Sequence, residues 1–321
     1  MKNYRTKAKI AISIIAALVA VVALSLFIAN VFIPVKYLKS YCVKGKRAEV
    51  GIMRISFLSL SGSCTVIELP DGKNMLIDAG DGSYASDSSI LQNLNSKNIE
   101  VIDYLLCLSV NKEHCGGIAE ILKYKTVKNI FMPYCEGYDM GGEFQKFTQA
   151  AADENAGIFY NEYSAGASGE DWFFTLLSPR AVADPYGEYA EFFNNSSSLS
   201  LRNNLSAVVW LEYAGAGFLF SADAEEKVFK RIYDFYELAE EDFPVNLKSC
   251  KIFSLCGEGE NSLYAPFYEI LKPELTIISS GKSSQSLTDE ANEFGEAYKV
   301  DEAGTITLTV GSDGKIFRQQ E

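Results

Sequence analysis

The chain has 321 residues, of which 48% are apolar and 22% charged, and its formal net charge is −13. These values exclude a disordered chain and leave room for one large domain of about 200 to 250 residues plus an accessory segment. The negative balance disfavours nucleic acid as a broad-surface partner, because phosphate backbones are held through Lys and Arg.

Ile10 to Val35 carries no charged residue. As a helix at 1.5 Å per residue it would reach about 40 Å, enough to cross a hydrocarbon layer of roughly 30 Å with some tilt. The alternative is a cleavable signal peptide, whose apolar region runs to about 7–15 residues. This run is longer, and the small-residue triplet Ala23-Leu24-Ser25 lies inside it. The expectation is therefore an uncleaved single-pass anchor in the cell membrane. Residues 1–9 form a cytoplasmic N-terminus, 10–35 a transmembrane helix contacting membrane lipid, 36–49 a basic juxtamembrane linker, and 50–318 the main, extracellular domain. The basic residues flanking the helix on both sides nearly cancel in orienting it, so sidedness rests on the usual translocation of a large following domain.

Within the main domain MRISFLSL alternates apolar and polar residues, and TVIELPDGKNMLIDAG gives two strand-like runs joined by Pro70-Asp71-Gly72, a turn tripeptide. DSSILQNLNSKN has helical spacing, and VIDYLLCLSV reads as a buried central strand. Gly116-Gly117 open a helix over IAEILKYK, NIFMPY is a strand, and GGEFQKFTQAAADENA a helix. DWFFTLLSP is a strand, after which YGEYAEFFNNSSSLSLRNN reads as a long polar loop. Its Phe192-Phe193 pair and residues Asn194 to Asn204 form a candidate exposed attachment strip for an unidentified protein partner. Two strands in SAVVWLEYAGAGFLFSADAEE precede an amphipathic helix; CKIFSL and LTIISSG are strands with APFYEILKP between them as a helix. AYKVDEAGTITLTVGSDGK closes the chain as a hairpin. Two strand-rich halves, each carrying helices, give an α/β protein built as a four-layer αββα sandwich.

The seven cysteines form no CxxC pair, and most sit in apolar runs where a cysteine acts as a small hydrophobe. No Walker loop, GxSxG or HExxH is present.

The order of these pieces resembles the metallo-β-lactamase fold, in the ComEC-like branch that includes the C-terminal domain of the DNA-uptake competence protein. ELPDGKNMLIDAG resembles the opening hairpin, and IDYLLCLSVNKEHCGG stands where that branch has IDYLILTHPHADHIGG. NNLSAVVWLEYAGAGFLFSADAEE is similar to its NxSVVLxLxYGxxxFLLTGDAE, and AYKVDEAGTITLTVGSDGK to its closing hairpin. The resemblance implies a metal-dependent hydrolase, phosphodiesterase- or nuclease-like, with two Zn²⁺ or Mn²⁺ ions activating a water. Position by position it implies much less. The first two histidines of HxHxDH fall on Ser109 and Asn111, the aspartate on Glu113, and the last histidine on His114, the only histidine in the chain. The bridging aspartate falls on Asp223, after Ala222 in place of glycine; the later HHG falls on Leu255-Cys256-Gly257, and the early GQGD loop on Ser61-Gly62-Ser63-Cys64 without its acid.

A hydroxyl or carboxamide holds Zn²⁺ far more weakly than imidazole. The expectation is a pseudoenzyme with no bound metal and a binding or regulatory role. The alternative is a hydrolase with a reduced site of Glu113, His114, Asp223 and Cys256 holding Zn²⁺ or Mn²⁺, in which Glu113 or Asp223 orients water and His114 ligates or moves a proton. Each of these side chains also has a plain structural reading: His114 packed beside Asp223, Glu113 solvated, Asp223 a helix cap, and Cys107, Cys115 and Cys256 buried thiols.

Overall fold

In the computed structural model, residues 14–25, 37, 45–135, 137–195, 199–256, 264–279 and 285–319 are described. Residues 14–25 form a helix, α1, with every side chain exposed. Among the described residues no helix is long and apolar enough to cross a membrane, and the remainder of the expected span 10–35 lies outside them.

The alternating apolar runs sort into two sheets. The first has the order β15 (Ile316–Gln319), β14 (Ile306–Val310), β1 (Met53–Phe57), β2 (Thr65–Glu68), β3 (Asn74–Ile77), β4 (Val101–Leu106), β5 (Thr126–Met132) and β6 (Gly157–Tyr160), and the second β13 (Glu296–Lys299), β12 (Leu275–Ser279), β11 (Cys250–Cys256), β10 (Ala216–Phe220), β9 (Val208–Tyr213), β8 (Trp172–Ser178) and β7 (Gly166–Ser168). Pro70-Asp71-Gly72 makes the turn between β2 (Thr65–Glu68) and β3 (Asn74–Ile77), with Gly72 at φ +83°. Strand β4 (Val101–Leu106) pairs in parallel with β3 and with β5 (Thr126–Met132), which is why it reads as a continuous apolar run: both of its faces are covered. Leu105 points to the helices α2 (Tyr84–Ser96) and α5 (Gly142–Asp153), while its neighbour Leu106 points between the sheets.

That inner layer joins Ile55, Phe57 and Ile77 of the first sheet to Trp172, Leu211 and Phe220 of the second. On the far side, Trp210, Leu219 and Phe253 pack against Val228, Phe229 and Ile232 of α8 (Glu226–Ala239) and Phe267 of α9 (Ala265–Leu271). Helix, sheet, sheet, helix is the expected four-layer order. Trp210 lies so closely over Gly217 of β10 (Ala216–Phe220) that a Cβ there would stand 2.0 Å from the indole.

Three expectations are corrected. The segment 186–204 is not a long loop: it contains α6 (Glu188–Asn195) and α7 (Leu199–Asn203). Phe192 is no exposed anchor. It is 2% exposed, its ring edge-on to Tyr138 and Phe193. The closing hairpin is β14 (Ile306–Val310) with β15 (Ile316–Gln319), whereas the AYK that precedes it is β13 (Glu296–Lys299) of the other sheet, separated by the short helix α11 (Val300–Ala303).

The segment leading into the domain is fastened to it. Tyr37 is buried, stacked at 5.5 Å on Tyr84 and edge-on to Tyr124. Gly45 donates its amide to the Ser96 carbonyl at 2.6 Å, Ala48 to Glu68 Oε1 at 2.7 Å, and Arg47 its guanidinium to Asn74 Oδ1 at 2.9 Å.

Candidate functional site

Strand β4 delivers the chain into Cys107–Asn111 and the one-turn helix α3 (Lys112–Cys115). Gly116 and Gly117 then let the backbone press against the end of β3: a Cβ on Gly117 would lie 2.2 Å from the Ala79 carbonyl oxygen, and one on Gly116 2.4 Å from the Asp81 carbonyl carbon. The Ala79 amide donates to the His114 carbonyl at 2.8 Å, completing the clamp. This contact fixes where the histidine ring lies.

His114 is wholly buried and both ring nitrogens are engaged, Nδ1 at 2.6 Å from Asp78 Oδ2 and Nε2 at 3.0 Å from Asp223 Oδ1. The other Asp223 oxygen accepts from Ser109 Oγ at 2.9 Å and from Asn111 Nδ2 at 2.8 Å. Asn111 Nδ2 also donates to Asn203 Oδ1 at 2.8 Å, and Asn203 Nδ2 to Glu225 Oε1 at 3.0 Å, tying the loop after β4 to α7 and to the segment before α8. Asp78 adopts φ +58°, a left-handed conformation that Asp tolerates better than most residues. From there its Oδ1 accepts the Leu108 amide at 2.8 Å.

Burial works against the charged form of His114, but the Asp223 and Asp78 carboxylates outweigh it and hold the ring well above its ordinary value. Burial likewise opposes ionisation of Asp223. His114, Asn111 and Ser109 overcome it and lower the carboxyl to about 2. Asp78 moves the other way, pushed up by burial against the pull of His114 and the Leu108 amide. The consistent assignment is an imidazolium paired with an ionised Asp223, with Asp78 the more easily protonated acid.

Comparison with known proteins meets this geometry. No family model matches the chain. ComE operon protein 3 of Bacillus subtilis (strain 168) is 24% identical over 253 residues, a match covering 71% of this chain and 29% of that protein. Among solved structures, a long form RNase Z from yeast aligns with a TM-score of 0.50 at 9% identity, covering 84% of this chain and 48% of that one. CmlA, a diiron β-hydroxylase from Streptomyces venezuelae, aligns at 0.47 and 11% identity, covering 83% and 54%. The chain thus spans about a third of the curated relative and about half of these structures.

The fold is that of the metallo-β-lactamases. Measured against the two-metal site that the sequence resemblance implies, the expected positions divide. His114, Asp223 and Cys256 come together, with one ligand atom of each within 4.8 Å of the others and all three buried. Glu113 is not part of that group: it stands about 100° away from His114 on the helical turn and is half-buried. Its backbone carbonyl accepts the Ser63 amide at 2.8 Å, beside Gly62, where a Cβ would meet that oxygen at 2.2 Å. Cys107 and Cys115 pack in the helix-side core, and burial pushes both thiols up. Asp78 escaped the sequence reading. Its signal was an acid in LIDAG, at the end of an otherwise apolar strand.

Two metal ions do not fit this donor set. Ser109 and Asn111 offer a hydroxyl and a carboxamide, and both are committed to Asp223. One ion fits by donor type: imidazole Nε2, carboxylate and thiol are the three protein ligands a catalytic zinc accepts, and Asp78 on Nδ1 supplies the carboxylate–histidine support typical of such sites.

Proposed function

We propose that this chain is a membrane-tethered, ComEC-like domain of the metallo-β-lactamase fold in which a closed hydrogen-bond network replaces the dinuclear hydrolytic centre, and that it serves as a binding or regulatory module. The observation that carries this reading is the commitment of Ser109, Asn111 and His114 to Asp223. Ser109 and Asn111, at the positions of the first two metal-binding histidines, are donors to one of its oxygens, and the His114 ring meets the other. Among the described residues no further group of donors accompanies them for a second metal. Tethering is supported by the uncharged run 10–35 and by the helix over 14–25, whose side chains, from Ile14 at 55% to Val19 at 63% exposure, touch no protein core. An extracellular main domain and a protein rather than nucleic-acid partner complete the reading, the latter from the net charge of −13.

Metal analysis of the full chain, purified in detergent and then incubated with Zn²⁺ or Mn²⁺, tests it. The expected result is well under one ion per chain and no hydrolysis of bis(p-nitrophenyl) phosphate above buffer. A stoichiometric ion would overturn the metal-free reading. Resistance of the protein to alkaline carbonate extraction from membranes is expected of the tether, and release by carbonate would refute it.

A second reading rests on the convergence of His114, Asp223 and Cys256 within 4.8 Å. Here the chain is a hydrolase of a phosphodiester or related envelope substrate with a single Zn²⁺ or Mn²⁺, which when bound would supply Lewis-acid activation of water. The protein's own part is to hold the imidazole by Asp78 and to exclude bulk water. One equivalent of zinc lost on Cys256→Ala would favour this reading; zinc content indifferent to Cys256 would remove it.

A further inference from the structure

The two sheets end in four outer strands, β15 and β6 in the first and β13 and β7 in the second. An outer strand presents unpaired backbone groups to any extended chain, and proteins blunt such edges with charges, proline or shortness. Three of the four are blunted: β13 carries Glu296 and Lys299, β15 carries Arg318, and β7 is three residues long. The fourth, β6, reads Gly157-Ile158-Phe159-Tyr160, without charge or proline. All of it is exposed, Ile158 by 40% and Phe159 and Tyr160 by 45%.

Strand β6 pairs in parallel with β5, on one side only. The Asn161 amide donates to the Met132 carbonyl of β5 at 2.8 Å, and strand alternation then turns the amide and carbonyl of Ile158 and of Tyr160 the other way, out of the sheet. The side chains of the same two residues line a groove of about 490 Å³ between β6 and α5, whose walls include Tyr138, Phe144, Thr148 and Ala152. Ile158, Tyr160 and Tyr138 are all exposed, so the groove is reached from solvent. A strand laid along β6 meets open backbone groups and an apolar groove together; main-chain bonds supply affinity and the groove selects alternate side chains.

The surrounding charge says which kind of strand fits. Between Lys146 and Arg180 the chain carries five carboxylates, Asp153, Glu154, Glu162, Glu170 and Asp171, and no lysine or arginine, and this stretch contains the whole of β6 and β7. Asp153 and Glu154 stand just before β6 and Glu162 just after it. The cations around the stretch are already paired, Lys146 with Glu143 at 2.9 Å, Arg180 with Asp184 at 3.4 Å and Lys128 of β5 with Asp103 at 2.7 Å. A second copy of the chain would set these carboxylates against their own kind, and the net charge of −13 opposes self-association. A strand bearing lysine or arginine gains ion pairs at both ends of the edge.

We propose that β6 is a docking edge for an extended segment of a cationic protein partner, in which apolar residues alternate with Lys or Arg. The segment adds to the first sheet as a further strand and sets its apolar side chains in the groove beside α5. This surface gives a partner to the binding role proposed above but shares no residue with the His114 centre, so peptide binding and metal content fail independently.

Fluorescence anisotropy of labelled KVKFKVK and EVEFEVE peptides, titrated with the full chain in detergent at physiological ionic strength, tests the proposal. Saturable binding of KVKFKVK is expected, tighter than that of EVEFEVE by about tenfold or more. Methylating the backbone nitrogens of every second residue of KVKFKVK keeps its charge and side chains. Of the two alternate sets, the one facing β6 is expected to weaken binding by about tenfold or more and the other to leave it within about twofold. Ile158→Lys, which sets a charge on the bare edge, is expected to weaken KVKFKVK by about tenfold or more. If that variant fails to fold, the methylated peptides decide, since they need no change in the protein. Absence of saturable binding, equal binding of the two methylated sets, or EVEFEVE bound as tightly as KVKFKVK would overturn the proposal. A dimer in sedimentation that Ile158→Lys dissolves would also overturn it, by making a second copy the occupant.

Discussion

Replacing His114 with alanine probes the centre most directly. The ring is wholly buried and touches one oxygen of Asp78 at 2.6 Å and one of Asp223 at 3.0 Å, so its removal strands two buried carboxylates at once. Removing one partner of a buried charged pair costs about 3–5 kcal/mol, a large part of the roughly 5–15 kcal/mol that holds a domain folded. The loss also depends on pH. Burial already pushes the Asp78 carboxyl up, with a smaller push from Asp223, and the imidazolium opposes both, so without it that carboxyl rises further. A carboxyl with a raised folded-state pKa makes the variant lose stability as pH rises above the unfolded value near 4. In the wild type the contribution of the imidazolium is complete below the unfolded value near 6.5 and is lost only as pH climbs from there through the raised folded value. Between pH 4.5 and 6.5 the variant's deficit therefore widens, by up to about 1.4 kcal/mol per pH unit. Urea unfolding of the full chain in detergent, followed by the fluorescence of the buried Trp172 and Trp210, measures both quantities. A deficit under about 1 kcal/mol, or one equal at the two pH values, would refute the assignment of His114 as the internal counter-cation.

The same assay checks four further expectations. Asp223, lowered from 3.8 to about 2, contributes stability that is present above pH 4 and lost as pH falls through 2, worth about 2 kcal/mol, so Asp223→Asn should flatten that acid limb. Asn111→Ala removes a donor to an ionised acceptor and should cost about 1.5–3 kcal/mol; an unchanged midpoint would show that the bond to Asp223 contributes nothing. Ala222, held at φ +46°, should give about 0.5–1 kcal/mol of added stability as Ala222→Gly, and a loss would mean that the strain is absent. Gly117→Ala drives a Cβ to 2.2 Å from the Ala79 carbonyl and should cost at least about 1–3 kcal/mol, with His114 displaced in a crystal structure.

What could be read from sequence follows from how local the signal was. The β2–β3 turn carried its own chemistry at Pro70-Asp71-Gly72, and β4 announced its double burial by an unbroken apolar run. The segment 186–204 misled because YGEYAEFFNNSSSLSLRNN is polar on average. Its first helix carries Tyr189, Phe192 and Phe193 at the helical spacing i, i+3, i+4, the first two buried, a local pattern that the polar average of the segment hides. At the centre, His114 and Asp223 were found through the resemblance, whereas Asp78 has no metal-ligand motif around it and matters only because β3 ends beside His114. Glu113 has the place of the motif's acid, but the single-residue step of about 100° from His114 on the helical turn faces it elsewhere.

The first two of the four fastenings ahead of the first strand carry a mechanical corollary. Tyr37 is wedged between Tyr84 and Tyr124, and Gly45 is hooked to Ser96. Tyr84 and Ser96 are the first and last residues of α2, so both fastenings meet the same helix. Tension applied to the leading end of the chain is borne first by that outer helix, in shear along its length, before any rung of the central sheets is loaded.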